Sequence, residues 1–275
     1  MPARIIGQVK NLRDRAIMRN IHPFDVDAEP GALLVVANDY VAGEHVGRHQ
    51  HWRAQFLYAV SGVLAVATDL GRWIVPPDRA VWIPPGVSHE VTMLSPAHLL
   101  SLYAAPAHIQ ALPRACRVVG VSVLLAELIR EAVDAPDRYL RGSRTDLVLS
   151  LLLDEILRAP QLPLNVPFPG DMRMAERCRA YLLHPTPHST IDDWCSDLAM
   201  SRRSFTRRFR AETGMSFAAW CRQASLFAAL PRLAAGDAIT TIAFDLGYES
   251  ASAFATMFRR TIGVAPSRYF DAARS

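Results

Sequence analysis

Two histidines one residue apart, His49 and His51, lie in the run GEHVGRHQHWRAQFLYAVSG; Gln55 follows four residues later, and His89 comes after the turn PPGVS. Side chains at i and i+2 of a strand leave the same face, and Gln55 keeps that parity if the strand continues without a bulge. The Pro-Pro-Gly turn can return His89 to the same place. Three imidazoles and an amide oxygen form a ligand set for a divalent first-row ion such as Fe, Ni, Zn or Mn. An amide where a carboxylate could stand removes one negative charge. That weakens the hold on a dication and takes away the base a hydrolytic site would use. Arg53, beside the cluster, would repel a cation or attract an anionic effector, and His45 is expected at the rim. The alternative is a polar pocket without metal. Trp52, Trp73, Trp82, Tyr58 and Tyr103 are ordinary core residues by type, but a cavity lined by some of them could take a small organic effector.

A second chemistry is written in SRRSFTRRFRAETG, residues 201–214. Ser201 is a good N-cap. Phe205 and Phe209, four apart, share one helical face and should turn inward. Arg202, Arg203, Thr206, Arg207 and Arg210 then cover the solvent side with no acid among them. Guanidinium groups opening a helix after a tight turn suit insertion into a DNA major groove. The segment recurs: slid by 49 residues it falls on SASAFATMFRRTIG (250–263), with Phe205 on Phe254, Phe209 on Phe258, Arg210 on Arg259 and Gly214 on Gly263. Upstream, WCSDLAMS aligns with IAFDLGYES, so each copy reads as a helix-turn-helix.

The rest of the chain must position these two groups. From about Gly31 to Tyr103, short apolar runs broken by Gly and Pro predict an all-β barrel or sandwich, with a hairpin turn at Asp69 to Gly71. VSVLLAELIREAVDA (121–135) and SRTDLVLSLLLDEILRA (143–159) predict amphipathic helices that either dimerise or close the barrel. QLPLNVPFPGD (161–171) is the expected linker. The fold class is therefore α+β, divided into an N-terminal arm (1–30), a β-domain (31–118), a helical relay or dimerisation segment (119–160), the linker (161–171) and an all-α domain (172–275). Lys+Arg and Asp+Glu balance at 16 each over residues 1–170, whereas residues 171–275 carry 14 and 10, which places the whole net +4 in the all-α part. Basic charge confined to one domain points to an anionic partner such as nucleic acid. Cys116, Cys178, Cys195 and Cys221 form no CxxC pair and read as free thiols of a reducing cytoplasm. No apolar run approaches the ~20 residues of a membrane span, and the N-terminus has no secretory signature.

Residues 172–270, with the frame IA…LGY.S.S.F…FRR..G..P..Y, resemble the AraC/XylS family of transcription regulators. The resemblance implies a tandem helix-turn-helix domain. It places the base-facing positions on Arg203, Thr206 and Arg207 in the first reader and on Ala251, Ser252, Ala255 and Thr256 in the second. One departure is Pro231 in the connecting helix, which should kink or end it. Residues 40–105 resemble a cupin, a double-stranded β-helix. Its first motif fits Gly43, His49, His51, Gln55 (for Glu) and Gly62, and its second fits Pro84, Gly86, His89 and Met93 (for Asn). Together these imply a sequence-specific DNA-binding regulator whose cupin domain senses a small molecule or a metal. Its implied partners are double-stranded promoter DNA, a second copy of the chain and, in activation, RNA polymerase. The competing expectation is a cupin metalloenzyme of dioxygenase or isomerase type fused to a DNA-binding domain. The missing carboxylate argues against it.

Overall fold

The computed structural model describes residues 23–28, 33–108, 113–136, 139–183, 185–186, 189–262 and 265–269. Most of the expected N-terminal arm lies outside them, except for a short 3-10 turn at Pro23–Ala28. The β-domain holds β1 (Leu33–Tyr40), β2 (His45–His49), β3 (Ala54–Ser61), β4 (Leu64–Thr68), β5 (Gly71–Val75), β6 (Arg79–Ile83), β7 (His89–Met93), β8 (Ala97–Ala104) and β9 (Arg117–Gly120). Two short strands follow later in the chain, β10 (Gln161–Leu162) and β11 (Asn165–Pro167). They form two facing antiparallel sheets, ordered β1-β8-β3-β6-β9-β10 and β11-β5-β4-β7-β2. The predicted hairpin is present, with Thr68 opposite Gly71.

Alternation along β3 shows how the strands are used. Gln55, Leu57 and Ala59 face the barrel interior, while Ala54, Phe56 and Tyr58 belong to an outer core shared with α1 (Val123–Val133) and α2 (Arg144–Arg158). Both faces are covered, so FLYAV reads as a continuous apolar run instead of an alternating one. The two helices start at Ser122 and Ser143, whose hydroxyls accept from Leu125 N and Asp146 N. Gly62, the last residue of the first cupin-like motif, has φ +79° and carries the chain so close to Pro96 that an added Cβ would meet its carbonyl at 2.2 Å. Only glycine fits there.

The segment expected as a linker is more than a tether. β10 pairs with β9 and β11 pairs with β5, so it seals one edge of each sheet. Pro167 at its end accepts a hydrogen bond from Trp220 Nε1 at 2.8 Å, fastening the all-α part to the barrel. Proline-rich composition disfavours helix but does not prevent edge-strand pairing, since Pro167 needs no ladder donor.

The all-α part comprises α3 (Met172–Leu183), α4 (Ile191–Asp197), α5 (Arg202–Thr213), α6 (Phe217–Ala234), α7 (Ile239–Asp245), α8 (Ala251–Ile262) and α9 (Pro266–Tyr269). Trp194, Phe205, Phe209 and Trp220 are fully buried and meet mostly edge-to-face, the arrangement aromatic quadrupoles favour. Pro231 does not end α6, which runs three residues further. The missing donor falls in the last turn, and Arg232 there ties α6 to Asp237 and to Asp245 of α7 at 2.9 and 2.7 Å.

Candidate functional site

The histidine cluster forms where the chain crosses from one sheet to the other. β2 ends at His49, His51 lies in the connecting bend, and Gln55 is the second residue of β3. The strand therefore does not continue through the motif, as same-face parity required. Instead a register shift between Val46 and His49 places His49 opposite His89 of β7, and the bend folds His51 in beside them. Ring centroids are 4.3 Å apart for His49 and His89, 4.9 Å for His49 and His51, and 5.7 Å for His51 and His89. One ligand-capable atom from each of the three lies within 4.8 Å of the others.

The rings are held from behind. His49 Nδ1 stands 2.7 Å from the Gly47 carbonyl and His89 Nδ1 2.9 Å from the Val87 carbonyl. A carbonyl only accepts, so each Nδ1 carries the proton and Nε2 keeps its lone pair. His51 Nδ1 faces the carboxylate of Asp27 at 3.7 Å. The Nε2 atoms of His51 and His89 are buried with no hydrogen-bond partner, as is Oε1 of Gln55. Gln55 Nε2 donates to the buried Tyr103 hydroxyl at 2.9 Å. Burial lowers the pKa of His51 to about 4, with His49 adding to the shift and Asp27 opposing it. Burial likewise lowers His89 to about 4, the Val87 carbonyl opposing and the other two rings assisting. Both are neutral at pH 7, the state a metal ligand needs.

Inside the barrel, a hollow of about 10 Å³ is lined by His49, Gln55, Leu57, Met93 and Tyr103 among others, but not by His51 or His89. It admits roughly one water or an ion, and no organic molecule. Of the aromatic residues expected around such a molecule, Tyr103 lines the hollow and the other four are elsewhere. Tyr58 and Trp82 lie in the outer core, Trp73 is in the barrel core, and Trp52 is 49% exposed. Arg53 is buried with its guanidinium 4.5 Å over the Trp52 ring, and His45 stands exposed against Thr92. Asp27 is absent from the sequence-based ligand set. An acid 22 residues before His49 has no motif spacing that would single it out.

The second constellation sits on the all-α part. Arg202, Arg203, Thr206, Arg207 and Arg210 are all exposed along α5 and border one open surface with Ala211. Arg202 stands 3.5 Å from Asp192. Among the described residues Arg203, Arg207 and Arg210 meet no acid within ion-pair distance. Arg208, on the same helix, is instead held by Asp171 and Glu212 at 2.9 and 2.7 Å. In α8, Ser252 and Arg259 are exposed, whereas Ala251, Ala255 and Thr256 are half-buried. The first reader therefore offers cations and the second offers small groups. In the second turn Gly247 has φ +78°, and Ala199 takes the matching place in the first at φ +53°.

Among known families, residues 31–159 match the AraC-like ligand binding domain and residues 194–272 match a helix-turn-helix domain. The chain is 32% identical over 221 residues to the HTH-type transcriptional regulator NimR of Escherichia coli K12, covering 80% of this chain and 81% of that protein. It is also 30% identical over 104 residues to the regulatory protein PocR of Salmonella typhimurium, covering 38% and 34% respectively. Among solved structures, ToxT of Vibrio cholerae O395 aligns over 87% of this chain and 97% of its own, at 14% identity and a TM-score of 0.38. A ligand-binding β-domain followed by paired helix-turn-helix units, together with this extent of identity to NimR, means that the chain belongs to the AraC/XylS family of DNA-binding transcriptional regulators and is not a cupin metalloenzyme.

Proposed function

We propose that the input of this regulator is a divalent first-row metal ion held by His49, His51 and His89, with Gln55 Oε1 as a neutral fourth donor. The supporting observation is the pair of buried, partnerless Nε2 atoms on His51 and His89. Buried ring nitrogens without partners cost free energy unless something satisfies them, and the anchored Nδ1 of His89 leaves its Nε2 a free lone pair. A bound ion would supply the positive charge that satisfies them. Promoter DNA is read by Arg203, Thr206 and Arg207 on α5 and by Ala251, Ser252, Ala255 and Thr256 on α8. Arg202, Arg210 and Arg259 hold phosphates. Bidentate arginine contacts carry more base discrimination than small side chains, so the first reader sets most of the sequence preference.

A second copy of the chain packs on α1 and α2 in this reading. Val123 of α1, Leu147 of α2 and Leu140 in the loop between them are 82%, 63% and 81% exposed, apolar surface that a second copy would cover. RNA polymerase is the further partner if the protein activates transcription. No described helix is long and apolar enough to cross a membrane, and the free thiols suit a cytoplasmic setting.

An organic effector remains as a second reading because of a different cavity. A space of about 500 Å³ lies between the barrel and the all-α part, lined by Ala65, Arg72, Ile74 and Leu94 on one side and by Phe227, Pro231 and Leu246 on the other. The deciding experiment is metal analysis of full-length protein purified without chelator or a nickel column. About one equivalent of a first-row ion per chain, lost in His89→Gln, supports the metal input. Metal-free protein that also takes up no added ion turns the reading to the organic effector.

A further inference from the structure

The cupin-like motif of this chain lacks its carboxylate, yet a carboxylate stands at the site. We propose that Asp27, from the 3-10 turn ahead of the barrel, supplies the negative charge that Gln55 does not, acting through His51 as its outer-sphere partner. The inference rests on reading the three histidines as a metal site.

The geometry places Asp27 behind the ring and away from the ion. Its Oδ2 faces His51 Nδ1 at 3.7 Å, while His51 Nε2, on the far side of the ring, is buried without a partner. The other two rings have backbone carbonyls in the corresponding place, Gly47 for His49 and Val87 for His89. Behind His51 the group is charged. A carboxylate behind a ligating imidazole fixes its tautomer and raises its basicity more than a neutral carbonyl does.

Asp27 is itself held. Its Oδ2 accepts from the Trp52 backbone N–H at 3.1 Å and its carbonyl accepts from Trp52 Nε1 at 3.3 Å. The preceding residue, Val26, is fully buried in a small core with Leu34, Val36 and Tyr103. Tyr103 in turn accepts the hydrogen bond from Gln55. The turn is thus built onto the same residues that build the site. The remaining oxygen, Oδ1, is buried and without a partner, and a dication one imidazole away would offset the carboxylate's charge.

The role is that of a positioning residue. Asp27→Asn keeps an acceptor for the Trp52 N–H and removes only the charge, so the turn stays docked. In full-length protein stripped of metal and titrated with Co2+ against a chromophoric chelator, Asp27→Asn should weaken binding by about 10- to 100-fold. The visible Co2+ spectrum should keep its band positions, because the directly bound atoms are the same. Asp27→Glu should recover part of the affinity. Nitrogen NMR of the metal-free ring should show the His51 tautomer ratio shifting in Asp27→Asn while those of His49 and His89 hold. If wild type binds no Co2+, the metal reading itself falls. If wild type binds and Asp27→Asn matches it in affinity, Asp27 has no such role. A change of Co2+ band positions in Asp27→Asn would make Asp27 a direct ligand and overturn the outer-sphere assignment.

Discussion

Acid should destabilise the metal-free β-domain well above the pH at which surface carboxylates titrate. His51 and His89 are 4% and 1% exposed, and both have pKa values lowered to about 4 from an ordinary 6.5. Between pH 6.5 and 4 the unfolded chain takes up protons at these two rings and the folded chain does not. Stability therefore falls as pH drops through that window, and is regained as pH rises above it. A shift of about 2.5 units corresponds to about 3 kcal/mol for one ring. The two rings face each other and a shared third, so their joint contribution is about 3–6 kcal/mol, a large part of the ~5–15 kcal/mol that holds a typical domain. Urea titrations of metal-free protein at about pH 7, 6, 5 and 4.5, followed by tryptophan fluorescence, should show the midpoint dropping steeply. The double variant His51→Gln, His89→Gln serves as the control that retains every other titrating group, and its profile should be flatter by that amount. Equal acid sensitivity in the double variant would refute the claim that these rings are buried neutral.

Four other outcomes follow from particular residues. Arg207→Ala should cost about 1–3 kcal/mol on the preferred operator and relax specificity at one base pair; Arg210→Ala should weaken all sequences alike and lower the salt slope by about 0.9. Gel-shift titrations at several salt concentrations separate the two effects, and interchanged behaviour would reverse the assigned roles. Ala199→Gly should stabilise the all-α part by about 0.5–1 kcal/mol, because Ala199 holds the left-handed conformation that Gly247 supplies in the second turn; thermal denaturation reads this directly, and a loss of stability would show the strain is absent. Gln55→Glu should tighten Zn2+ binding in competition with a chelator, since it adds a charge at a buried oxygen that now has no partner; unchanged affinity would place Gln55 outside the ligand set.

How much of this is legible in the sequence depends on whether the cause is local. The i, i+4 pair Phe205 and Phe209 declares both its buried face and, by exclusion, the arginine face. Repetition at Phe254 and Phe258 doubles the signal. Ser122, Ser143 and Ser201 mark helix starts because capping involves only the next three residues. The histidine cluster is predictable as a set but not by the parity of a continuous strand. Its rings converge through a bend and a cross-strand register, which no parity argument contains. Pro231 looks like a break, yet the ion pairs of Arg232 to Asp237 and Asp245 hold the last turn of α6. The edge strands β10 and β11 and the docked Asp27 are invisible for a common reason. Each depends on a partner tens of residues away, and nothing in the composition of a proline-rich stretch or of PFDVDA reports that partner.

Under the proposed metal input, occupancy of the histidine site sets the DNA affinity of the all-α part. The most direct test is operator binding by full-length protein at fixed salt, stripped of metal and then supplied with one equivalent of Zn2+, Mn2+, Ni2+ or Fe2+, alongside His89→Gln. A metal input requires at least one ion to change wild-type affinity by about 5-fold or more, the lower end of ordinary allosteric coupling, and to leave His89→Gln unmoved. Wild-type affinity that is identical with and without every ion would contradict a metal input.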